Sequence, residues 1–414
     1  MLNQIVTKKA ISLLGKKSWI KYSPALSYKN FVNITYNNIE RKIEEDNFQF
    51  SRFEEKKFKG KIGYKFASAC DELIAKKLND NIRRLFKIKP SDRHAIIKQT
   101  ISLLKDSQPI TIARLDIKNF YETIDRKKLV QYVINEWLLS HQSRIFLENW
   151  DKQLNEQNIE GLPRGMSLSS TLSEIRIRNF DKIMKYEKKV YFYARYVDDI
   201  IIFFTGNEDE LKNITKKNLK ETVEELSFNE DKCIFISLGD KFKTQQNPEI
   251  DYLGYRIVFE REPHKVTEKR KIKVFISHKK IKKIKSRIRK SFTAYSRDRN
   301  FQLLVHRLKF LSGNQYIIGD IDRTKLKSGI YYNYPLITEL EQLAELDSFY
   351  KKLLTCKSNK TILKALTMIN NHVGLGDNSR KNQINSISFQ FGFKKRVMNH
   401  FSTTISKKIK RCWL

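Results

Sequence analysis

The sequence predicts an α+β fold, an antiparallel sheet with flanking helices up to about residue 262 and a basic helical part after it. Three observations predict it. The apolar run Ile110–Leu115 reads as a strand that ends on Asp116. VYFYARYVDDIIIFF, residues 190–204, reads as a β-hairpin with Asp198 and Asp199 at its turn, because β-prone residues flank a short polar centre. Ile281, Ile284, Ile288 and Phe292 recur at helical spacing inside a lysine- and arginine-rich stretch.

Along the chain, MLNQIVTKKAISLLGKKSW has charges interrupting its apolar run, which makes it a poor signal peptide. After the strand that delivers Asp116, Asp125 is placed to cap a helix whose apolar face includes Leu129, Val130 and Val133. Gly161-Leu-Pro-Arg-Gly165 reads as a loop, and Ser169 or Ser170 is expected to cap a helix running to about Met184. Gly165 allows close approach of the backbone to a bound ligand. No repeat, low-complexity tract or Pro/Gly-rich linker is visible.

The remaining bounds come from composition. With 414 residues and 40% hydrophobic residues, the chain is long enough for two or three packed units and is not globally disordered. Its 81 Lys plus Arg against 46 Asp plus Glu leave a formal charge of +35, tolerated most easily beside a polyanion. Nucleic acid is the first such partner, and an anionic membrane surface the second. No segment approaches the roughly 18–20 continuous apolar residues of a membrane span. Four cysteines, 70, 233, 356 and 412, form no CxxC pair, which fits neither a zinc site nor a disulfide framework and suits a reducing cytosol.

Charge is concentrated late in the chain. Residues 263–414 hold 34 Lys plus Arg against 9 Asp plus Glu. In KVTEKRKIKVFISHKKIKKIKSRIRK, residues 265–290, an apolar stripe opposite Lys282, Lys283 and Arg287 fits a helix that packs on its domain while its cations grip phosphates. A solvated lysine-rich surface helix fits the same pattern. A membrane-surface helix fits less well, since the stripe is narrow and lacks tryptophan.

Carboxylates carry the chemical signal. Asp-Asp at a hairpin tip is ordinary turn chemistry, yet two adjacent carboxylates between apolar strands are costly unless a divalent metal neutralises them. If the Asp116 strand pairs beside the hairpin, Asp116 and Asp198 converge. Such a pair could hold two Mg²⁺ ions about 3.5–4 Å apart, as in-line phosphoryl transfer requires.

The order of these segments resembles a reverse transcriptase. LDIKNFY resembles motif A, LPRGMSLSS motif B, YVDD motif C, LSFNEDKC motif D and DYLGYRI the primer-grip motif E, together spanning roughly residues 85–260. The resemblance implies a right-hand polymerase: an N-terminal extension and fingers over 1–109, a palm over 110–262 with a fingers insertion at about 126–160, and a thumb over 263–414. It implies that Asp116 and Asp198 bind two catalytic Mg²⁺ ions (or Mn²⁺), with the backbone of Ile117 and Asp199 supporting. Tyr121 falls at the steric gate that excludes a ribose 2′-hydroxyl; a core aromatic is the plain alternative. Gly165 would line the nascent base pair, and Arg164, Leu253 and Gly254 would meet template and primer. Lys232 would lie near the triphosphate as charge stabiliser or proton donor, in competition with a reading as one more surface lysine. Arg93 would reach the triphosphate from the fingers.

Departures narrow the subgroup. Motif B usually carries glutamine where this chain has Arg164, and Ser-Pro where it has Ser169-Ser170. The NAxxH and VTG signatures of retron enzymes are missing, as are a cysteine-rich nuclease segment and a set of RNase H carboxylates. What remains resembles bacterial unknown-group reverse transcriptases of antiphage defence. The stretch RLKFLSGNQYIIGDIDRTKLKSGIYYNYPLIT, with ELDSFY after it, is most similar to the smaller subunit of the system that encodes two reverse transcriptases. That resemblance implies cytoplasmic DNA synthesis from dNTPs on a noncoding RNA, no membrane association, and a second polymerase subunit or another oligomer as partner. Two alternatives stay open: a template-independent or RNA-synthesising palm nucleotidyltransferase, and a non-catalytic RNA-binding scaffold with a polymerase fold.

Overall fold

The computed structural model describes residues 2–44, 48–58, 60–89, 91–239, 248–260, 269–318, 325–371 and 377–413. The expected boundary at 262, residues 265–268 of the basic stretch and residues 319–324 lie outside them. The chain divides into two compact units, residues 1–96 with 108–241, and residues 97–107 with 242–414.

In the first unit, a hairpin of β1 (Glu54–Phe58) and β2 (Lys61–Lys65) precedes the helix Ala69–Leu85. Ser68 caps that helix by accepting from the Asp71 N–H, and Leu73, Ile74, Leu78 and Ile82 form its buried face. The central sheet contains β3 (Ile110–Asp116), β4 (Val190–Tyr196), β5 (Asp199–Phe204) and β6 (Ile234–Leu238) in the order β4-β5-β3-β6, every pair antiparallel. The interior strand β5 reads DIIIFF rather than alternating, and residues 200–204 are fully buried. Helices Arg126–Asn135, His141–Glu156 and Ser167–Tyr186 supply Leu129, Val133, Trp150, Leu172 and Phe180 to the same core. Asp125 caps the first of them at the Lys128 N–H, as its sequence context predicts.

The Ser167–Tyr186 helix starts earlier than expected. Met166 takes the N-cap position without a side-chain bond, and neither Ser169 nor Ser170 caps it. Gly165, at φ +96°, turns the chain so that Met166 is buried, with its sulfur accepting from the Trp150 indole N–H at 3.4 Å. The helix then begins at Ser167, and Ser169 donates back to the Pro163 carbonyl at 2.7 Å.

The second unit combines helices with two three-stranded sheets. One contains β7 (Glu249–Tyr252), β8 (Tyr255–Phe259) and β9 (Ile272–Ile276) in that order. The other contains β10 (Asn314–Ile318), β11 (Lys325–Gly329) and β12 (Met398–Asn399) in the order β11-β10-β12. Buried Arg270 ties residues 97–107 into this unit, donating to the carbonyls of Asp106 at 2.5 Å and Leu104 at 3.3 Å. The basic helix His278–Asp298 buries Ile281, Ile288 and Phe292, the expected stripe, and Phe292 meets Tyr350 with ring centroids 6.4 Å apart. No helix among the described residues is long and apolar enough to cross a membrane. The four cysteines are free thiols.

Candidate active site

β3 and β5 pair so that Asp116 stands directly opposite Asp199 at one end of the sheet. Tyr196 pairs with Asp199 across a two-residue turn, which leaves Asp198 at its tip. Val197 holds φ +62°, a left-handed conformation that a β-branched residue adopts only under strain of about 1–3 kcal/mol. The backbone joins the two elements, since the Ile117 N–H donates to the Asp198 carbonyl at 3.2 Å.

Each carboxylate has a different environment. Asp116, 9% exposed, accepts from Lys232 Nζ at 3.1 Å and from Asn229 Nδ2 at 3.3 Å, both on its Oδ2. Asp199 pairs with Arg114 Nη2 at 3.0 Å, as alternation dictates: Arg114 lies two residues before Asp116 and shares its face of the sheet. Asp198 is held above the usual aspartate range, chiefly by burial and then by the charges of Asp199 and Asp116. Lys232, expected at the triphosphate, is seated on the Asp116 carboxylate, where its ammonium offsets a buried negative charge. Among the described residues no group of three His, Cys, Asp or Glu side chains is arranged to hold a metal ion.

The set nevertheless fits hard divalent cations. Asp116 and Asp198 offer only oxygen, Ile117 can add only its backbone carbonyl, and the charges of Asp199 and Asp116 bear on the buried Asp198 carboxylate, with Arg164 offsetting them in part. When bound, such cations activate a hydroxyl nucleophile and neutralise charge on a leaving pyrophosphate. Removing Lys232 would expose the charge it offsets. Lys232→Ala is expected to increase the stabilisation of the protein by added Mg²⁺ or Mn²⁺ in a thermal melt. An unchanged metal response would show that the lysine does not compete for Asp116.

Beside the carboxylates, the motif B loop is clamped to the residues after Asp116. The Leu162 N–H donates to the Tyr121 carbonyl at 2.7 Å. Gly161 has φ +60°, and a Cβ there would lie 2.4 Å from the Glu122 carbonyl oxygen and 2.5 Å from that of Tyr121. Arg126, buried, donates to the carbonyls of Ile159 and Gly161, the latter at 2.8 Å, and pairs with Asp151 at 2.5 Å. Gly161→Ala is therefore expected to cost about 1–3 kcal/mol from backbone strain, with the loop displaced from Tyr121. An unaltered unfolding midpoint in chemical denaturation would refute this.

Arg164 replaces the expected glutamine with a cation that binds its own surroundings. Its guanidinium grips Glu122 at 2.6 and 2.9 Å and lies 5.2 Å over the Tyr121 ring, while its carbonyl accepts from the Tyr64 N–H of β2 at 2.7 Å. The Tyr121 hydroxyl lies 3.2 Å from Ser170 Oγ. Tyr121, Ser170, Tyr196, Val197 and Arg83 help line a cavity of about 170 Å³.

Sequence reasoning missed the residue that holds the hairpin tip. Arg195, buried on β4, donates to both oxygens of Glu174 at 3.0 and 2.6 Å, to Asp181 at 2.8 and 2.7 Å, and to the Val197 carbonyl at 2.8 Å. Burial opposes its charge, but these carboxylates keep its pKa well above the ordinary arginine value. A charged residue within an apolar strand was the available signal, for Arg195 and for Arg114 alike.

The sequence pattern of the family described as reverse transcriptase (RNA-dependent DNA polymerase) matches residues 26–257, more than half of the 414. The chain belongs to the reverse transcriptase family. That family is described as RNA-dependent DNA polymerases, and reverse transcriptases generally use divalent metal ions. No curated protein matches this reverse transcriptase. Among solved structures it is similar to apo telomerase from Candida tropicalis truncated from the C-terminal domain, at 14% identity and TM-score 0.32, over 45% of this chain and 43% of that one. It is also similar to telomerase from Candida albicans in complex with a TWJ fragment of telomeric RNA, at 14% identity and TM-score 0.32, over 82% of this chain and 56% of that one. The chain therefore spans about half the length of these telomerase chains.

The remaining expected site residues are placed as follows. Arg93 is the first residue of the Arg93–Leu104 helix and lies in the first unit. Leu253 and Gly254, both at positive φ, form the two-residue turn between β7 and β8 in the second unit. Lys282 and Lys283 are exposed on the basic helix. Arg287 is not an open phosphate contact: it is half-buried, 5.0 Å over the Trp413 ring, and burial lowers its pKa. The C-terminal segment folds back onto this helix, with Trp413 Nε1 donating to Ser291 Oγ at 3.1 Å.

Proposed function

We propose that this reverse transcriptase copies a noncoding RNA into DNA as part of bacterial antiphage defence, with Asp116 and Asp198 as ligands of two Mg²⁺ ions. The observation that carries the catalytic part is the pairing of Asp116 with Asp199, which sets Asp198 at the adjoining tip of β4–β5, inside the stretch that matches the family. In this reading Asp116 and Asp198 hold the cations, Asp199 orients through Arg114, and Arg164 with Ser170 braces Tyr121 as the gate against ribonucleotides. Lys232 exchanges Asp116 for the phosphates of an incoming nucleotide. The exposed cations of the basic C-terminal part, Lys282 and Lys283 among them, hold backbone phosphates without reading sequence. A defence role, cytoplasmic location and a second reverse-transcriptase subunit rest on the resemblance carried by residues 307–338 and 345–350, and on the missing retron, nuclease and RNase H signatures.

Purified protein given its co-purifying RNA, Mg²⁺ and labelled dNTPs should yield DNA whose sequence is complementary to that RNA. Product that forms equally without RNA, or from rNTPs alone, would sink the reading. Tyr121→Ala is expected to admit ribonucleotides, raising rNTP over dNTP use by on the order of tenfold or more, about 1.4 kcal/mol of lost discrimination. An unaltered rNTP:dNTP ratio in steady-state kinetics would remove Tyr121 from the gate.

A further inference from the structure

The sheet β11-β10-β12 of the second unit presents rings and cations together. Its foundation is Asn314, fully buried, which donates to the Val397 carbonyl at 3.1 Å and accepts from the Tyr331 N–H at 2.9 Å. Tyr316 stands directly opposite Lys327, so both side chains project from one face. The parallel pairing of Asn314 with Met398 brings His400 alongside Tyr316, and their rings stack with centroids 6.0 Å apart and 28° between planes. The Lys327 ammonium lies 5.3 Å over the Tyr332 ring. Tyr332 meets Tyr331 edge-on at 5.2 Å, and Arg396 lies 4.4 Å over Tyr331. Tyr316 is 41% exposed, and Lys327, His400 and Arg396 are exposed as well. Residues 378–414, which contribute β12 and His400, hold nine Lys plus Arg and no Asp or Glu.

We propose that this face is a platform for unpaired RNA, with bases stacking on Tyr316 and His400 and phosphates meeting Lys327 and Arg396. A solvated basic surface needs no exposed stacked rings, and a core needs no cations over its aromatics. The combination suits a polyanion that also offers flat apolar faces, as a single strand does. A duplex hides its base faces in its own stack, so rings at this position gain little from it. The excess of 34 Lys plus Arg over 9 Asp plus Glu in residues 263–414 favours a polyanion over an acidic-and-basic protein surface. The choice of RNA over single-stranded DNA rests on the family assignment, because the template is the strand such an enzyme meets unpaired.

The test uses the full chain in EDTA without nucleotides, so that its outcome is independent of the carboxylates and of DNA synthesis. Fluorescence anisotropy compares a short labelled oligouridine, the DNA of matching sequence, an RNA duplex and phosphatidylserine-containing vesicles, at about 0.3 M salt, where purely ionic contacts are weakened. Tyr316→Ala with His400→Ala is expected to weaken oligouridine binding by roughly ten- to a hundredfold, while Tyr316→Phe, which keeps the ring, retains it. Thiouridine crosslinks, mapped by mass spectrometry in the unsubstituted protein, are expected at Tyr316, His400 or Tyr332. The proposal is overturned by unchanged affinity in the double variant, by crosslinks confined to other residues, or by tighter binding to duplex. Equal loss in Tyr316→Phe also overturns it, as does a loss seen only for vesicles or only for DNA. Retained RNA binding with no polymerisation in the preceding assay would count against the catalytic reading alone.

Discussion

Asp198→Asn is expected to abolish DNA synthesis while leaving the protein folded, with kcat/KM falling on the order of a thousandfold or more, about 4 kcal/mol of transition-state stabilisation. The two effects separate because asparagine keeps the shape and removes the charge. Asp198 is destabilised as an anion, first by burial and then by Asp199 and Asp116, which raises its pKa in the folded state. A carboxyl whose folded pKa exceeds its unfolded value favours folding at low pH, and that contribution is lost as pH rises through the raised value. At neutral pH the metal-free Asp198→Asn protein should therefore melt no lower than the unsubstituted chain. Added Mg²⁺ or Mn²⁺ should raise the unfolding temperature of the original protein and have little effect on the variant. Wild-type rates in Asp198→Asn, or an undiminished metal response, would reject Asp198 as a ligand.

Arg195→Met carries the largest stability effect expected. It strips a buried cation from Glu174 and Asp181, both of which accept from it within 3.0 Å, and leaves two carboxylates with reduced compensation. Breaking such a pair from one side costs about 3–5 kcal/mol. It also releases the Val197 carbonyl at the strained tip that presents Asp198. Adding Glu174→Gln and Asp181→Asn should restore most of the stability, since no buried charge then remains unpaired. It should not restore activity, because nothing replaces the bond to Val197. Recovery of both together in equilibrium unfolding and primer-extension assays would show that Arg195 serves stability alone.

The readable parts of this molecule were local. β3, the β4–β5 hairpin and the Asp125 cap follow from apolar runs, β-branched residues and short-range capping bonds. The stripe Ile281, Ile288, Phe292 followed from helical period alone. The start of the Ser167–Tyr186 helix was misplaced because Gly165 and buried Met166, rather than a serine hydroxyl, decide it. Arg287 was placed on an open basic face because spacing cannot show that Trp413 folds back over it.

The sequence by itself determined which carboxylates stand at strand ends and in what order the motifs follow one another, since strand, turn and cap signals act within a few residues. Tertiary structure decided what each of those groups touches. Strand pairing set Asp116 against Asp199, Lys232 came to Asp116 across 116 positions, and Arg164 reached Glu122 across 42. Such partners are selected by the cost of leaving a charge buried and unpaired, and that cost exists only once the chain has closed around it.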